Sequence, residues 1–254
     1  MLDALKRLIS GKPDGPDWGA VSQWARESRM VFKRVREEEG FVIDGGMDSK
    51  PWRLEWGAPQ RFYIEGHELR LRMELGLPPT LQLLLLSQPL RETLERQTFE
   101  RFTESTQTVI DGSTPEEMRW LAMFSKVSFG ASKNVRMRFG LVGNTPQLAA
   151  SWVEGALARQ LEEASGGLLR DEPPFVLMLL RGRVYLRMQL AQPDLASVQQ
   201  AVGLFEVAVL QALRVASVVG PSSGEGGASG WASTSSTAWQ TQLGLDDPKD
   251  SSRH

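Results

Sequence analysis

A β-strand pattern that occurs twice most constrains the fold of this chain. Residues 62–75 and 175–190 each contain an apolar run, a turn glycine (Gly66 or Gly182) and a segment in which apolar and polar residues alternate. Alternation with period two is typical of a strand with one buried face. The two stretches end in nearly the same five residues, at an offset of 115 positions. We therefore predict two β-hairpins, and leave open whether their similarity reflects internal duplication or chance.

The rest of the chain combines extended segments with amphipathic helices. Extended, turn-rich sequence at residues 30–56 indicates an antiparallel meander, and we expect further strands at residues 81–86, 126–129 and 135–141. Apolar residues at helical spacing, with capping residues or proline at the start, predict helices at residues 17–28, 89–104, 114–122, 145–164 and 195–218. Together these elements predict an α+β fold, in which an antiparallel sheet of hairpins and meander carries amphipathic helices on one face. If the repeat reflects internal duplication, the fold consists of two related halves.

Changes in composition divide the chain into four parts. We expect an N-terminal segment at residues 1–16, a first α+β half at 17–110, a second at 111–219 and a Ser/Gly-rich tail at 220–254. Such a tail buries too little apolar surface to offset the entropy of ordering, so we predict that it is disordered. Its two tryptophans, Trp231 and Trp239, are either a short motif that folds onto a partner or tolerated substitutions in a drifting sequence.

Charge and cysteine content restrict the classes of function. The chain has no cysteine, which excludes disulfides and thiolate zinc sites and fits a cytoplasmic location. A net charge of −2 argues against strong non-specific binding of nucleic acid. No uninterrupted apolar run reaches the roughly 18 residues of a membrane span, and the start of the chain does not resemble a signal peptide, so we expect no transmembrane segment.

Motifs for catalysis, cofactors and metals are not found in the sequence. Only His67 and His254 are available for a histidine-based metal site or catalytic triad, and no nucleophile lies near His67. Neither a phosphate-binding GxxxxGK[ST] loop nor a GxGxxG turn occurs. We therefore predict no cofactor, no metal and no catalytic residues, and we favour a protein without enzymatic activity.

One candidate binding surface comes from the arginines of the alternating strands. If these strands share a sheet, their outward positions form a row that a tyrosine interrupts. Guanidinium groups bind phosphates and carboxylates and stack on aromatic rings, so such a row could hold RNA, anionic lipid or an acidic protein segment. The alternative is a solvated face neutralised by Glu55, Glu68 and Glu74 through cross-strand pairs. The candidate residues are Arg70, Arg72, Arg136, Arg138, Arg183, Tyr185 and Arg187.

Two hypotheses of function follow. The first is a soluble, non-enzymatic adaptor or accessory protein that binds another protein, similar in its alternation of hairpins and helices to many small bacterial proteins. The second is an anion-binding module that uses the arginine row for RNA or anionic lipid. The helix at residues 195–218 is apolar on nearly all sides, which indicates either a deep core position or the seam of a homodimer.

Overall fold

The structure is a computed structural model that describes residues 17–104 and 114–219. The predictions for residues 1–16, for the end of the first half and for the tail with Trp231 and Trp239 lie outside these residues. The described part contains seven helices and eight strands. The helices are α1 (Gly19–Glu27), α2 (Gln88–Glu104), α3 (Glu116–Met123), α4 (Lys133–Arg138), α5 (Pro146–Val153), α6 (Ala156–Gly166) and α7 (Leu195–Val219). The strands are β1 (Val31–Arg34), β2 (Phe41–Met47), β3 (Lys50–Gly57), β4 (Glu68–Glu74), β5 (Leu83–Ser87), β6 (Phe139–Gly143), β7 (Phe175–Leu180) and β8 (Arg183–Gln189).

All eight strands form one antiparallel sheet in the order β1-β2-β3-β4-β8-β7-β5-β6. The first four strands are a meander, and β7 and β8 are a hairpin, so the predicted α+β class with an antiparallel sheet is confirmed. The two similar strands, β4 and β8, are neighbours at the centre of the sheet, and Leu71 lies directly opposite Leu186. Strands from both predicted halves therefore share one sheet. Whether the halves arose by duplication stays a hypothesis.

One face of the sheet carries the main hydrophobic core. Because strand residues alternate between faces, every second side chain of the central strands points toward α1, α5, α6 and α7. Hydrogen bonds also connect the elements around the core. The indole Nε1–H of Trp152 on α5 donates to the Ala208 carbonyl of α7 at 3.0 Å. The indole of Trp56 on β3 donates to the Leu190 carbonyl at 2.8 Å. These bonds satisfy polar atoms that burial would otherwise leave unpaired.

A smaller second layer covers the opposite face at one end. The alternate residues of β5, including Leu84 and Leu86, are buried outside the main core. Helices α2 and α3 lie against β5 and β6 on this side, with Leu94 and Trp120 buried. The predicted strand at residues 81–86 is therefore confirmed as β5, and it is buried on both faces. Toward β1 this face is open among the described residues.

The first predicted hairpin is wrong, whereas the second is confirmed. Only β4 forms, because both of its edges pair with other strands, β3 and β8, which leaves no edge for residues 62–65. Those residues instead form a turn, in which the Ile64 N–H donates to the Arg61 carbonyl at 3.1 Å, and Tyr63 is buried. The second hairpin turns at Arg181 and Gly182, both with positive φ, as in a two-residue type I′ turn.

Three further predictions are corrected. Residues 133–138 form helix α4 and not a strand, because the Ser132 hydroxyl accepts from the Val135 N–H at 3.2 Å and starts a helix. Residues 126–129 form no regular strand; Lys126 makes a single bridge to Val142. The predicted helix at 145–164 is divided into α5 and α6 at Gly155, where φ is +74°.

Helix α7 is a core helix over much of its length. Nine of its side chains, among them Val198, Phe205 and Val209, are buried in the main core. Its segment 195–217 is long and apolar enough to cross a membrane by length and composition alone, and half of the apolar window is buried inside the protein. Packing against the sheet accounts for this composition, in agreement with the deep-core alternative. Nothing in the described residues tests the homodimer.

Candidate functional site

The structure separates the predicted arginine row into two places. Arg70 on β4 lies directly opposite Arg187 on β8. Arg136 and Arg138 lie instead on α4, because residues 133–138 are helical. The residues that β4 and β8 bring together are Arg70, Arg72, Arg183, Tyr185 and Arg187.

Two of these arginines do not point into solvent. Arg187 is 1% exposed and its Nη1 lies 2.5 Å from the Glu68 carboxylate. Arg70 is 7% exposed and contacts both Glu68 and Glu55 at 3.3 Å. The expectation of an outward row is therefore corrected for these residues. They are neutralised by the carboxylates that the alternative interpretation named.

Ion pairs continue across this face as far as β1. Lys33 Nζ lies 3.1 Å from Asp44, and Arg53 Nε lies 3.1 Å from Glu55. Arg72 reaches Glu55 at 3.8 Å, and Arg183 pairs with Glu74 at the other side. Side-chain exposure falls from 61% at Lys33 to 0% at Glu68. Exposed pairs of this kind contribute about 0–1 kcal/mol each, so the outer part of the face is mainly a charge-balanced surface.

A buried charge cluster joins helix α3 to the segment before β4 and to the charge of Arg187 on β8. Glu117 of α3 is fully buried and accepts from the Tyr63 hydroxyl at 2.8 Å and from the Arg61 Nε at 3.2 Å. Burial alone would raise the pKa of Glu117, but the charges of Arg61 and Arg187 hold it below its ordinary value. Burial, together with the Glu117 charge, raises the pKa of Tyr63 well above its ordinary value. The cluster is closed and ion-paired, which is the arrangement of a structural core.

Strand β1 forms an edge of the sheet that pairs with β2 alone among the described strands. The Val35 N–H donates to the Gly40 carbonyl at 3.0 Å, which continues the β1–β2 register. In an antiparallel ladder alternate residues point their backbone groups toward the partner, so the N–H and C=O groups of Phe32 and Arg34 point outward. Val31 and Val35 are 53% and 42% exposed. Within residues 17–104 and 114–219, this edge therefore offers both unpaired backbone groups and apolar side chains.

A basic cleft of about 480 Å³ lies beside the opposite edge of the sheet. Arg91 of α2, Lys126 and Arg136 supply its cations. The Arg91 side chain packs closely against β6. A Cβ added at Gly140 would be only 2.4 Å from the Arg91 Cδ. Its nearest carboxylate in the described part of the chain is Glu95, at 3.9 Å. Arg136 is thus a predicted anion-binding arginine that lines this cleft.

A second cleft, of about 580 Å³, lies between α1, the β2–β3 hairpin and α7. We call it the α1–α7 cleft. Its walls combine two tryptophan rings, apolar side chains, a carboxylate and an exposed arginine. Its lining residues include Trp24, Arg29, Met30, Trp52, Val202, Gly203 and Glu206.

The remaining sequence candidates have structural positions or fall outside the described residues. The imidazole of His67 stacks on the indole of Trp56 with ring centres 4.3 Å apart. Its Nε2 lies 3.8 Å from Glu39. Among the described residues no group of three or more His, Cys, Asp and Glu side chains could hold a metal ion. Trp231 and Trp239 lie in the tail that the structure does not describe.

Sequence reasoning missed both the buried cluster and the α1–α7 cleft. In the sequence, Glu117 resembles an ordinary acidic residue in the first turn of a helix, and no neighbouring residue indicates that it is buried. One signal for the cleft was present: Glu206 is the only acidic residue in α7. An isolated acid in a mainly apolar helix indicates a special environment.

Comparison with known proteins adds little to this picture. The sequence matches no protein-family model and no curated protein. Among solved structures, the crystal structure of the mycobacterial trehalose monomycolate transport factor A, TtfA, is similar over 76% of this chain and 92% of that chain, with 7% identity and a TM-score of 0.45. A likeness at this TM-score supports no argument about function. The proposals below therefore rest on the residues of this chain.

Proposed function

We propose that this protein is a non-enzymatic accessory protein that binds an extended segment of another protein along β1. The observation that carries the proposal is the edge described above, where the backbone groups of Phe32 and Arg34 point away from the sheet. A segment that adds as a further strand gains its affinity from main-chain hydrogen bonds and its specificity from alternate side chains. The fold thus provides a preformed template for one strand.

The side chains of β1 define the chemistry of the partner. Val31, Lys33 and Val35 share the face that carries the ion pairs, and Lys33 is 61% exposed. On the core side, Phe32 stacks on Phe41 and the Arg34 guanidinium lies over the Trp18 ring. Opposite-charge and apolar cross-strand pairs stabilise a sheet. We therefore infer a partner segment that alternates apolar and acidic residues, with an acid opposite Lys33.

Self-pairing of β1 is less favourable than pairing with such a segment. Two copies of β1 would place Lys33 and Arg34 of both chains close together, and like charges on adjacent strands are destabilising. Short edges with lysine are also a means by which proteins prevent edge pairing. The experiment must therefore distinguish an edge that binds a partner strand from an edge that prevents strand pairing.

The test uses a photo-cross-linking amino acid in place of Lys33 in the full chain, in cells that produce the protein naturally. The same group in place of Leu210, which is 49% exposed on α7, is the control. We expect a defined partner that cross-links at position 33 and not at position 210. Its affinity is then measured for Arg34→Pro and for the matched Arg34→Ala.

Arg34→Pro removes an outward N–H and leaves the β1–β2 ladder intact, whereas Arg34→Ala keeps the N–H and removes only the side chain. We expect Arg34→Pro to weaken binding at least about tenfold relative to Arg34→Ala, which corresponds to about 1.4 kcal/mol. Equal affinities of the two variants, or the lack of a cross-link specific to position 33, would overturn the proposal. A cross-link between two copies would show self-pairing instead.

A further inference from the structure

The α1–α7 cleft contains a glycine that the fold itself does not require. Gly203 lies in the interior of the 25-residue helix α7. Glycine in a helix interior is about 0.5–1 kcal/mol less stable than alanine. Among the described residues, a Cβ at Gly203 would meet no atom within 4 Å beyond its chain neighbours and the nearby helix backbone, so neither close packing nor an unusual φ explains the glycine. The space that a side chain would fill is the cleft.

Trp52, which lines the same cleft, carries a buried hydrogen-bond donor. Trp52 is 3% exposed, and its indole Nε1–H has no hydrogen-bond partner among the described residues. The ring is held tightly over β2, because a Cβ at Gly45 would be 2.3 Å from its Cζ2. A buried donor without an acceptor costs about 1–3 kcal/mol. The Nε1 atom has almost no exposed surface, so a ligand oxygen in the cleft would satisfy it once a neighbouring side chain moves aside.

The carboxylate of Glu206 lies on α7 three residues beyond Gly203. Within the described chain it has no ion pair within 4 Å, and it is partly buried. Burial raises its pKa, since the charged form loses hydration. A cation beside it would restore the lost stabilisation. The partly buried ring of Trp24 lies in the same cleft, and indole faces attract cations.

We propose that the α1–α7 cleft binds a small primary amine with an apolar body and an oxygen acceptor. The ammonium group pairs with Glu206, the apolar body occupies the space over Gly203 beside Trp24, Met30 and Val202, and the oxygen accepts from the Trp52 indole. Arg29, exposed at the rim, disfavours a second cationic group there. The site is separate from β1 and does not depend on the proposed function.

The test is a titration of the full chain with tyramine, which carries an ammonium group, an aromatic body and a hydroxyl oxygen. Two probes are matched to it: 4-hydroxyphenylacetate replaces the amine by a carboxylate, and phenethylamine lacks the oxygen. Binding is followed through the indole N–H signals in ¹H–¹⁵N NMR spectra, with Trp52→Phe to assign the Trp52 signal. We expect tyramine to shift this signal, phenethylamine to shift it less and the carboxylate to leave it in place.

Substitutions in the cleft then test each proposed contact with tyramine. Glu206→Gln should weaken tyramine binding at least tenfold, because it removes the charge and keeps the shape of the side chain. Gly203→Leu should abolish binding by filling the cleft, and Gly203→Ala should reduce it only in part. Arg34→Pro should leave it unchanged, which separates this site from β1. The proposal is wrong if millimolar tyramine leaves the Trp52 signal in place, if the carboxylate binds equally well, or if Glu206→Gln binds tyramine like the wild type.

Discussion

At the scale of single residues, the buried charges near Arg187 constrain the sequence most. Arg187 and Glu68 are almost completely excluded from solvent and pair at 2.5 Å. Burial lowers the pKa of Arg187, and the like charge of Arg61 adds to this effect. A buried pair need not be more stable than an apolar replacement of both partners, but the loss of one partner leaves an uncompensated charge. The two residues should therefore tolerate only joint replacement.

We predict that Arg187→Met lowers the free energy of unfolding by about 3 kcal/mol, because Glu68 stays buried without this partner. The measurement is chemical denaturation at neutral pH. The control is Arg183→Met, since Arg183 and Glu74 are about half exposed and such pairs contribute under about 1 kcal/mol. Arg187→Met combined with Glu68→Gln should recover part of the loss. Equal effects of the two single variants would contradict the importance of burial.

At the scale of secondary-structure elements, the sequence predicted the hairpin that forms through interactions between residues close together in the chain. The β7–β8 hairpin was predictable because Arg181 and Gly182 form a two-residue turn between strands that pair with each other. The similar pattern before β4 led to a wrong prediction of a hairpin, because β4 pairs with β3 and β8 instead. Helix α4 was missed although Ser132 is a favourable N-cap, since the alternation of residues 135–141 suggested a strand.

Helix α7 provides a prediction at this scale. Gly203→Ala should raise the free energy of unfolding by about 0.5–1 kcal/mol, because alanine has the better helix propensity and its methyl group clashes with no residue in the part of the chain that the structure describes. Thermal or chemical denaturation measures the change. Gly182→Ala is the contrast: φ there is +78° and a Cβ would lie 2.7 Å from the Leu77 carbonyl, so this variant should be destabilised. A loss of stability in Gly203→Ala would show that the cleft is already filled.

At the scale of the whole molecule, the buried cluster joins three parts of the fold. Arg61 and Tyr63 come from the segment before β4, Glu117 from α3, and Arg187 from the central strand β8. The Arg61–Glu117 ion pair attaches α3 to the segment before β4, and the nearby charge of Arg187 adds to this attachment. Protonation of Glu117 should therefore weaken the attachment between layers.

The lowered pKa of Glu117 gives this effect a pH dependence. Because its pKa in the folded state lies below the ordinary value of 4.5, the ionised carboxylate stabilises the fold above that pH. This stabilisation is lost as the pH falls below 4.5 through the folded-state pKa. We expect Glu117→Gln to be about 3 kcal/mol less stable than the wild type at neutral pH, as for the loss of one partner of a buried pair.

The difference between the two proteins should narrow as the pH falls through this window, because the wild type then also has a neutral side chain. Urea denaturation from pH 7 to pH 3 measures it, and the exposed Glu163→Gln should follow the wild type throughout. A difference that stays constant with pH would mean that Glu117 acts through shape and hydrogen bonding and not through charge.

The sequence by itself determined the alternating strands, the helix starts and the apolar character of α7, because these depend on residues a few positions apart. It also determined the carboxylates, Glu55, Glu68 and Glu74, that neutralise the arginines of β4 and β8. Only the tertiary structure decided which strands pair with the two edges of β4, that Arg70 and Arg187 are buried, and that Trp52, Gly203 and Glu206 meet in one cleft. The physical reason is that burial and strand partners depend on segments more than 100 residues apart, as between Leu71 and Leu186, and local periodicity carries no information about such pairs.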